Sequence, residues 1–189
     1  MAEKKLRFAI FGNGSKALES IQIWEMLDYL IKHSAEVYVE QSFYYALQHQ
    51  LKDDLEVDGL FKGSDFNADY VISLGGDGTF LKAASSVGAK QIPIIGVNMG
   101  RLGFLANVAP ADVISMLDNI FAGQYDIEER VVIQLDAGAE SLEGCPCALN
   151  DIAILKRDTA SMISIRASVN GEYLVTYLAD GLVISTPTG

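Results

Sequence analysis

The segment Val71-Ile72-Ser73-Leu74-Gly75-Gly76-Asp77-Gly78-Thr79-Phe80 constrains the fold of this chain more than any other. A short apolar run enters three glycines that enclose one aspartate. A helix-compatible stretch, Phe80 to Val87, follows, with Gly88 placed to stop it. Strand, tight turn and helix in that order is the repeating unit of a parallel sheet, because parallel neighbours need a crossover between them. The first part of the chain repeats the unit. Leu6 to Phe11 reads as a buried strand closed by Gly12, and Glu36 to Glu40 and Pro93 to Val97 read as further strands. Between Ser20 and His33, the residues Ile23, Leu27, Leu30 and Ile31 recur at one face of a helix. Val113, Leu117, Ile120 and Phe121 do so between Pro110 and Gly123.

After Gly123 the period changes. Glu129–Ala137, Ala148–Leu155, Ile163–Val169, Glu172–Tyr177 and Leu182–Ser185 favour strand, and Asn170-Gly171 between two alternating runs is a strong hairpin signal. The expected fold class is therefore α/β: a Rossmann-like parallel-sheet domain over residues 1–125, followed by the start of an all-β domain over 126–189. So short a β segment leaves strand edges unpaired, which suggests a chain cut within its second domain.

Half of the 189 residues are hydrophobic, enough for a real core. The longest apolar runs fall far short of the ~20 residues of a membrane span, and Met1-Ala2-Glu3-Lys4-Lys5 lacks a secretory pattern, so a cytoplasmic location with no membrane partner is expected. A formal net charge of −11 argues against nucleic acid as a partner. Cys145 and Cys147 are too closely spaced for a zinc pair and are expected to be reduced thiols. His33 and His49 have no neighbouring nucleophile, so no metal site and no Ser-His-Asp arrangement is expected.

The chemistry concentrates at Asp77. Glycines on both sides let a ligand approach the main chain, and the following helix start offers N–H groups and a favourable dipole to phosphate. A carboxylate at the C-terminal tip of a sheet strand lies where open α/β sheets bind ligands, and within reach of a hydroxyl it can accept the proton as that oxygen attacks phosphorus. The plainer alternative is an aspartate helix cap. No Gly-x-x-x-x-Gly-Lys-Ser/Thr is present, so a P-loop is not the donor site. A rival motif, Gly12-Asn13-Gly14-Ser15-Lys16-Ala17 with Glu40 closing the next strand, fits a dinucleotide fingerprint and would make the chain an NAD-dependent dehydrogenase. A lipid or sugar kinase sharing the Gly-Gly-Asp-Gly turn is a second rival.

Gly75–Thr79 resembles the glycine-rich turn shared by NAD kinases, diacylglycerol kinases and phosphofructokinases. Three further stretches narrow the resemblance to the NAD kinase family: Gly96-Val97-Asn98-Met99-Gly100-Arg101-Leu102-Gly103-Phe104-Leu105, the pair Asn150-Asp151, and Asp180 to Gly189 with its Ser-Thr-Pro-Thr-Gly ending. The resemblance implies transfer of the γ-phosphate of ATP, or of polyphosphate, to the 2′-hydroxyl of the adenosine ribose of NAD, with Mg²⁺ or another divalent cation. It implies Asp77 as proton acceptor, Gly78 beside it, Lys82 near the dinucleotide and Phe104 against an adenine. Asn150 and Asp151 would hold the ribose or nicotinamide end, with Asp180 and Thr188 also at the NAD. It implies homo-oligomers, dimers or tetramers, for the full-length protein. Leu178 stands where many relatives have a basic residue, and Asp151 where many have Glu. A catalytically incomplete NAD-binding fragment is the further alternative.

Overall fold

The computed structural model describes residues 5–13, 21–49, 55–100, 103–138, 146–157 and 160–189. They divide into two compact units, Met1–Glu128 and Glu129–Gly189.

The first unit carries five strands, β1 (Arg7–Gly12), β2 (Glu36–Glu40), β3 (Gly59–Phe61), β4 (Tyr70–Gly75) and β5 (Ile94–Asn98), all parallel, in the order β3-β2-β1-β4-β5. Among the described residues four α-helices accompany them: α1 (Ile21–Lys32), α2 (Gln41–Gln48), α3 (Asp77–Val87) and α4 (Val113–Phe121), the last entered through a 3-10 turn at Pro110–Asp112. The expected parallel α/β sheet is therefore present. The chain steps from β1 to β2 and β3 on one side, then crosses back to place β4, and after it β5, on the other side of β1. The C-terminal ends of β1 and β4 thus flank the kind of crevice where open α/β sheets bind ligands.

Strand alternation sends side chains to both faces. Phe8, Ile10, Ile72, Leu74 and Val97 pack with α1, α2 and α4, whereas Ala9, Phe11 and Val71 pack with Ala83 and Val87 of α3. The buried stripe of α1 is Ile23, Met26, Leu27 and Leu30, while Ile31 is 46% exposed. The spacing places Ile31, at i+8 from Ile23, on the inner face; in the structure Met26 and Leu27, at i+3 and i+4, turn inward and Ile31 rotates out. The short β3 and α2 are elements for which the sequence supplied no prominent periodicity.

One polar side chain sits unsupported in this core. Ser73 is fully buried on β4 and its Oγ has no hydrogen-bond partner. A buried hydroxyl left unpaired is unfavourable by about 1–3 kcal/mol, so Ser73→Ala should leave stability unchanged or raise it, measured by urea unfolding. A clear loss of stability would mean that the hydroxyl has a partner in solution.

The described residues of the second unit form three antiparallel pairs: β6 (Ile133–Gln134) with β7 (Cys147–Ala148), β8 (Asp151–Leu155) with β11 (Gly181–Ser185), and β9 (Ile163–Val169) with β10 (Glu172–Ala179). The β9–β10 hairpin turns at Asn170 and Gly171, whose φ angles of 52° and 85° are those the Asn-Gly signal implied. The strand expected over Glu129–Ala137 shrinks to Ile133–Gln134. That expected over Ala148–Leu155 breaks at Leu149–Asn150, where the chain bends. Among the described residues of this unit only Thr186 is buried.

Candidate active site

Asp77 is the first residue of α3, three positions earlier than the helical pattern suggested, with Gly76 as the extended N-cap. It does not cap its own helix. Its carboxylate instead reaches the turn beyond β5 and accepts three main-chain hydrogen bonds. Phe104 N donates to Oδ2 at 2.8 Å, while Leu105 N and Ala106 N donate to Oδ1 at 2.9 and 3.2 Å. Those hydrogen bonds from Phe104, then Leu105 and, more weakly, Ala106 outweigh the desolvation that opposes them, and hold the carboxyl below the ordinary carboxylate range. Asp77 is therefore ionised across the working pH range.

The turn that grips it is itself anchored. Val108 returns beside β5, with Asn98 N donating to Val108 O at 2.8 Å and Val108 N donating to Gly96 O at 3.0 Å. Met99 N donates to Gly75 O at 3.0 Å, and the buried Asn98 side chain accepts from Gly100 N at 2.9 Å. A Cβ at Gly96 would meet Ala106 Cα at 2.7 Å, so the turn can lie this close only over a glycine. At the tip Phe104 is 71% exposed. Arg101 and Leu102 of the same motif lie outside the described residues.

Lys82, on α3, directs its Nζ to Glu40 Oε1 at 3.3 Å. Glu40 is the buried last residue of β2 and caps α2: Oε2 accepts from Phe43 N at 3.0 Å and from the Ser42 hydroxyl. Burial alone would raise its carboxyl, but the bonds from Ser42, Phe43 and Lys82 more than offset that and lower it. A carboxylate engaged in this way has little left for a ribose. The role considered for Glu40 in the dehydrogenase reading thus gives way to a structural one. Gly14, Ser15, Lys16 and Ala17 of that fingerprint lie outside the described residues, as does Cys145.

In the second unit, Asn150 sits at the bend before β8 and Asp151 opens that strand, the Asn150 amide donating to the Asp151 carboxylate. The same bend is tied to the end of the chain. The buried Thr186 hydroxyl donates to Leu149 O at 2.6 Å and lies 3.2 Å from Asn150 O, which also accepts from Thr186 N at 2.9 Å. That hydroxyl accepts in turn from Thr188 N at 3.1 Å, and Thr188 Oγ1 accepts from Arg130 at 3.3 Å. Asp180, between β10 and β11, pairs with Lys156 through its carboxylate, and its carbonyl accepts from Lys156 N at 2.9 Å. The structure therefore brings Asn150, Asp151 and Thr188 together around Thr186. It sets Asp77 against the Phe104 turn, and Lys82 against Glu40. Thr186 is a structural centre that the sequence reading does not single out, although it lies inside the Ser-Thr-Pro-Thr-Gly motif. Among the described residues no cluster of three or more His, Cys, Asp or Glu is placed to hold a metal ion, and no helix is long and apolar enough to cross a membrane.

A parallel α/β unit with a glycine-flanked carboxylate at its switch point, followed by a β-rich unit, defines the fold class. A family model described as the ATP-NAD kinase N-terminal domain matches residues 8–125, and the chain belongs to the NAD kinase family. It is 50% identical over 184 residues to an NAD kinase of Bacteroides fragilis and 38% identical over 183 residues to one of Porphyromonas gingivalis. In each comparison 97% of this chain is covered. The chain spans 63% of the length of these relatives. A solved structure of yeast NADH kinase complexed with NADH shares the fold, with a TM-score of 0.82 at 21% identity over 100% of this chain and 59% of that one.

Proposed function

We propose that this chain supplies the catalytic carboxylate of an NAD kinase, an enzyme that transfers the γ-phosphate of ATP or polyphosphate to the adenosine 2′-hydroxyl of NAD and works in the cytoplasm. The observation that carries the proposal is the ionised Asp77 carboxylate, fixed by three main-chain donors at the sheet's switch point, within the segment matched by the family. In the proposed step the 2′-hydroxyl oxygen bonds to the γ-phosphorus as the bond from that phosphorus to the β–γ bridging oxygen breaks. ADP leaves, and the hydroxyl proton passes to Asp77 and on to solvent. Phosphoryl transfer asks mainly for positioning and charge stabilisation, so a weakly basic but well-held carboxylate suffices to orient the hydroxyl. A divalent cation carried on the triphosphate would neutralise charge on the transferring group. Exposed Phe104 offers a stacking face to an adenine, and Lys82 a cation to a pyrophosphate, shared with Glu40. On the same reading Asn150, Asp151, Asp180 and Thr188 contact the NAD.

The direct test is NADP formation from NAD, ATP and Mg²⁺, read with an NADP-specific dehydrogenase. A protein that makes no NADP from ATP or polyphosphate sinks the proposal. Gly78 gives a finer test. It is exposed in the first turn of α3, and a Cβ there would meet nothing in the protein within 4 Å. Alanine in a helix is favoured over glycine by about 1 kcal/mol, so Gly78→Ala should fold at least as stably as the parent. If NAD lies against this main chain, the added methyl should raise the KM for NAD by roughly tenfold, the equivalent of ~1.4 kcal/mol. An unchanged KM would place the dinucleotide elsewhere.

A further inference from the structure

We infer that the turn Gly103–Ala106 is the positioning element that aims the Asp77 carboxylate, and that Gly103 is the residue on which this aim depends. The inference rests on the phosphotransfer reading for its consequence but not for its geometry. An ionised carboxylate offers about four acceptor positions. Two are taken at Oδ1 by Leu105 N and Ala106 N, and one at Oδ2 by Phe104 N. Among the described residues nothing takes the remaining position on Oδ2, which suits a single hydroxyl. The three donors therefore choose both the oxygen and the direction from which it is approached.

The space for this arrangement exists because residue 103 has no side chain. A Cβ at Gly103 would stand 2.3 Å from Asp77 Oδ1, 2.8 Å from its Cγ and 3.0 Å from Oδ2. No rotation of a methyl relieves that contact, so either the carboxylate leaves the three N–H groups or the turn moves away. The turn has little freedom to move, because its stem is fixed to β5 by the paired Asn98–Val108 and Val108–Gly96 hydrogen bonds, and Ala106 lies directly over Gly96. The displaced part is the Asp77 side chain. A lysine or arginine could have held the same carboxylate as an ion pair. Main-chain donors hold it without placing a competing cation beside a nucleophilic oxygen.

Gly103→Ala in the otherwise unaltered protein tests this. The expected result is a fall in kcat of ten- to a hundredfold with the KM for ATP within about twofold, as a misaimed group would give. In the same variant the Asp77 carboxyl carbon, followed by NMR, should titrate higher than in the parent, back towards the ordinary value of about 3.9. A merely structural glycine would not move that midpoint. Unchanged kcat, or an Asp77 midpoint equal to the parent's, overturns the inference. Should Gly103→Ala not fold, the parent protein decides: the amide protons of Phe104, Leu105 and Ala106 must shift with the same midpoint as the Asp77 carboxyl, and flat amide shifts overturn the arrangement. A parent that folds but makes no NADP removes the phosphotransfer reading and the catalytic aim with it. The titrations then stand alone as the measure of whether the turn holds the carboxylate.

Discussion

Asp77→Asn should reduce kcat for NADP formation by about 10²–10⁴, the range spanned by loss of a positioned acid–base group. Two effects combine in that substitution. The amide cannot take the hydroxyl proton, and it also cannot satisfy all three N–H donors. An asparagine oxygen in the Oδ1 place could still serve Leu105 N and Ala106 N, but its NH₂ would then face Phe104 N, donor against donor. The variant should therefore lose order in the Phe104 turn as well as chemistry, visible as changed amide shifts at Phe104 and a raised KM for NAD. Turnover equal to that of the parent would exclude Asp77 from the reaction. Comparison with Gly103→Ala separates the two effects, since that variant keeps the carboxylate and loses only its support.

Glu40→Ala should destabilise the protein by about 2 kcal/mol, combining a lost N-cap with a lost charged hydrogen bond at a buried site. The Lys82 pair adds little, because Lys82 is half exposed and such pairs contribute less than ~1 kcal/mol. Glu40→Gln, which can still accept from Phe43 N, should lose less than half as much. The sign of the pH dependence follows from the lowered folded-state pKa. The contribution is fully present above the unfolded value of about 4.3 and disappears as pH falls through the lower folded value. Denaturant titrations at pH 7 and at pH 3 measure this, and equal differences between parent and variant at both would refute the charged role. If Glu40 were instead a ribose ligand, the KM for NAD would change more than the stability.

The fold was legible wherever apolar period and turn chemistry agreed. The run from Val71 to Leu74, the helical stripe Val113–Leu117–Ile120 and the Asn170-Gly171 hairpin all formed where the residues indicated. The start of α2 was not legible, because it is signalled by Glu40, not a favoured cap, and because only Phe43 and Leu47 are buried along the helix. The site was legible as a set of residue types, with Asp77 and its glycines foremost. Its partners were not, because three backbone N–H groups look the same in any sequence. The closest available sign was Gly103 standing just before Phe104, a glycine with no turn of positive φ to account for it. Its need for closeness became visible only once α3 and the turn beyond β5 were side by side.

The small knot around Thr186 bears on how the second unit could be re-engineered. Asn150 and the final turn of the chain are separated by more than thirty positions, yet one hydroxyl binds them, and a Cβ at Gly189 would strike Asn150 O at 2.5 Å. A graft that exchanged the Asn150-Asp151 pair between homologues would inherit a mismatched anchor unless Thr186 and Gly189 travelled with it. The two stretches amount to a single transplantable part.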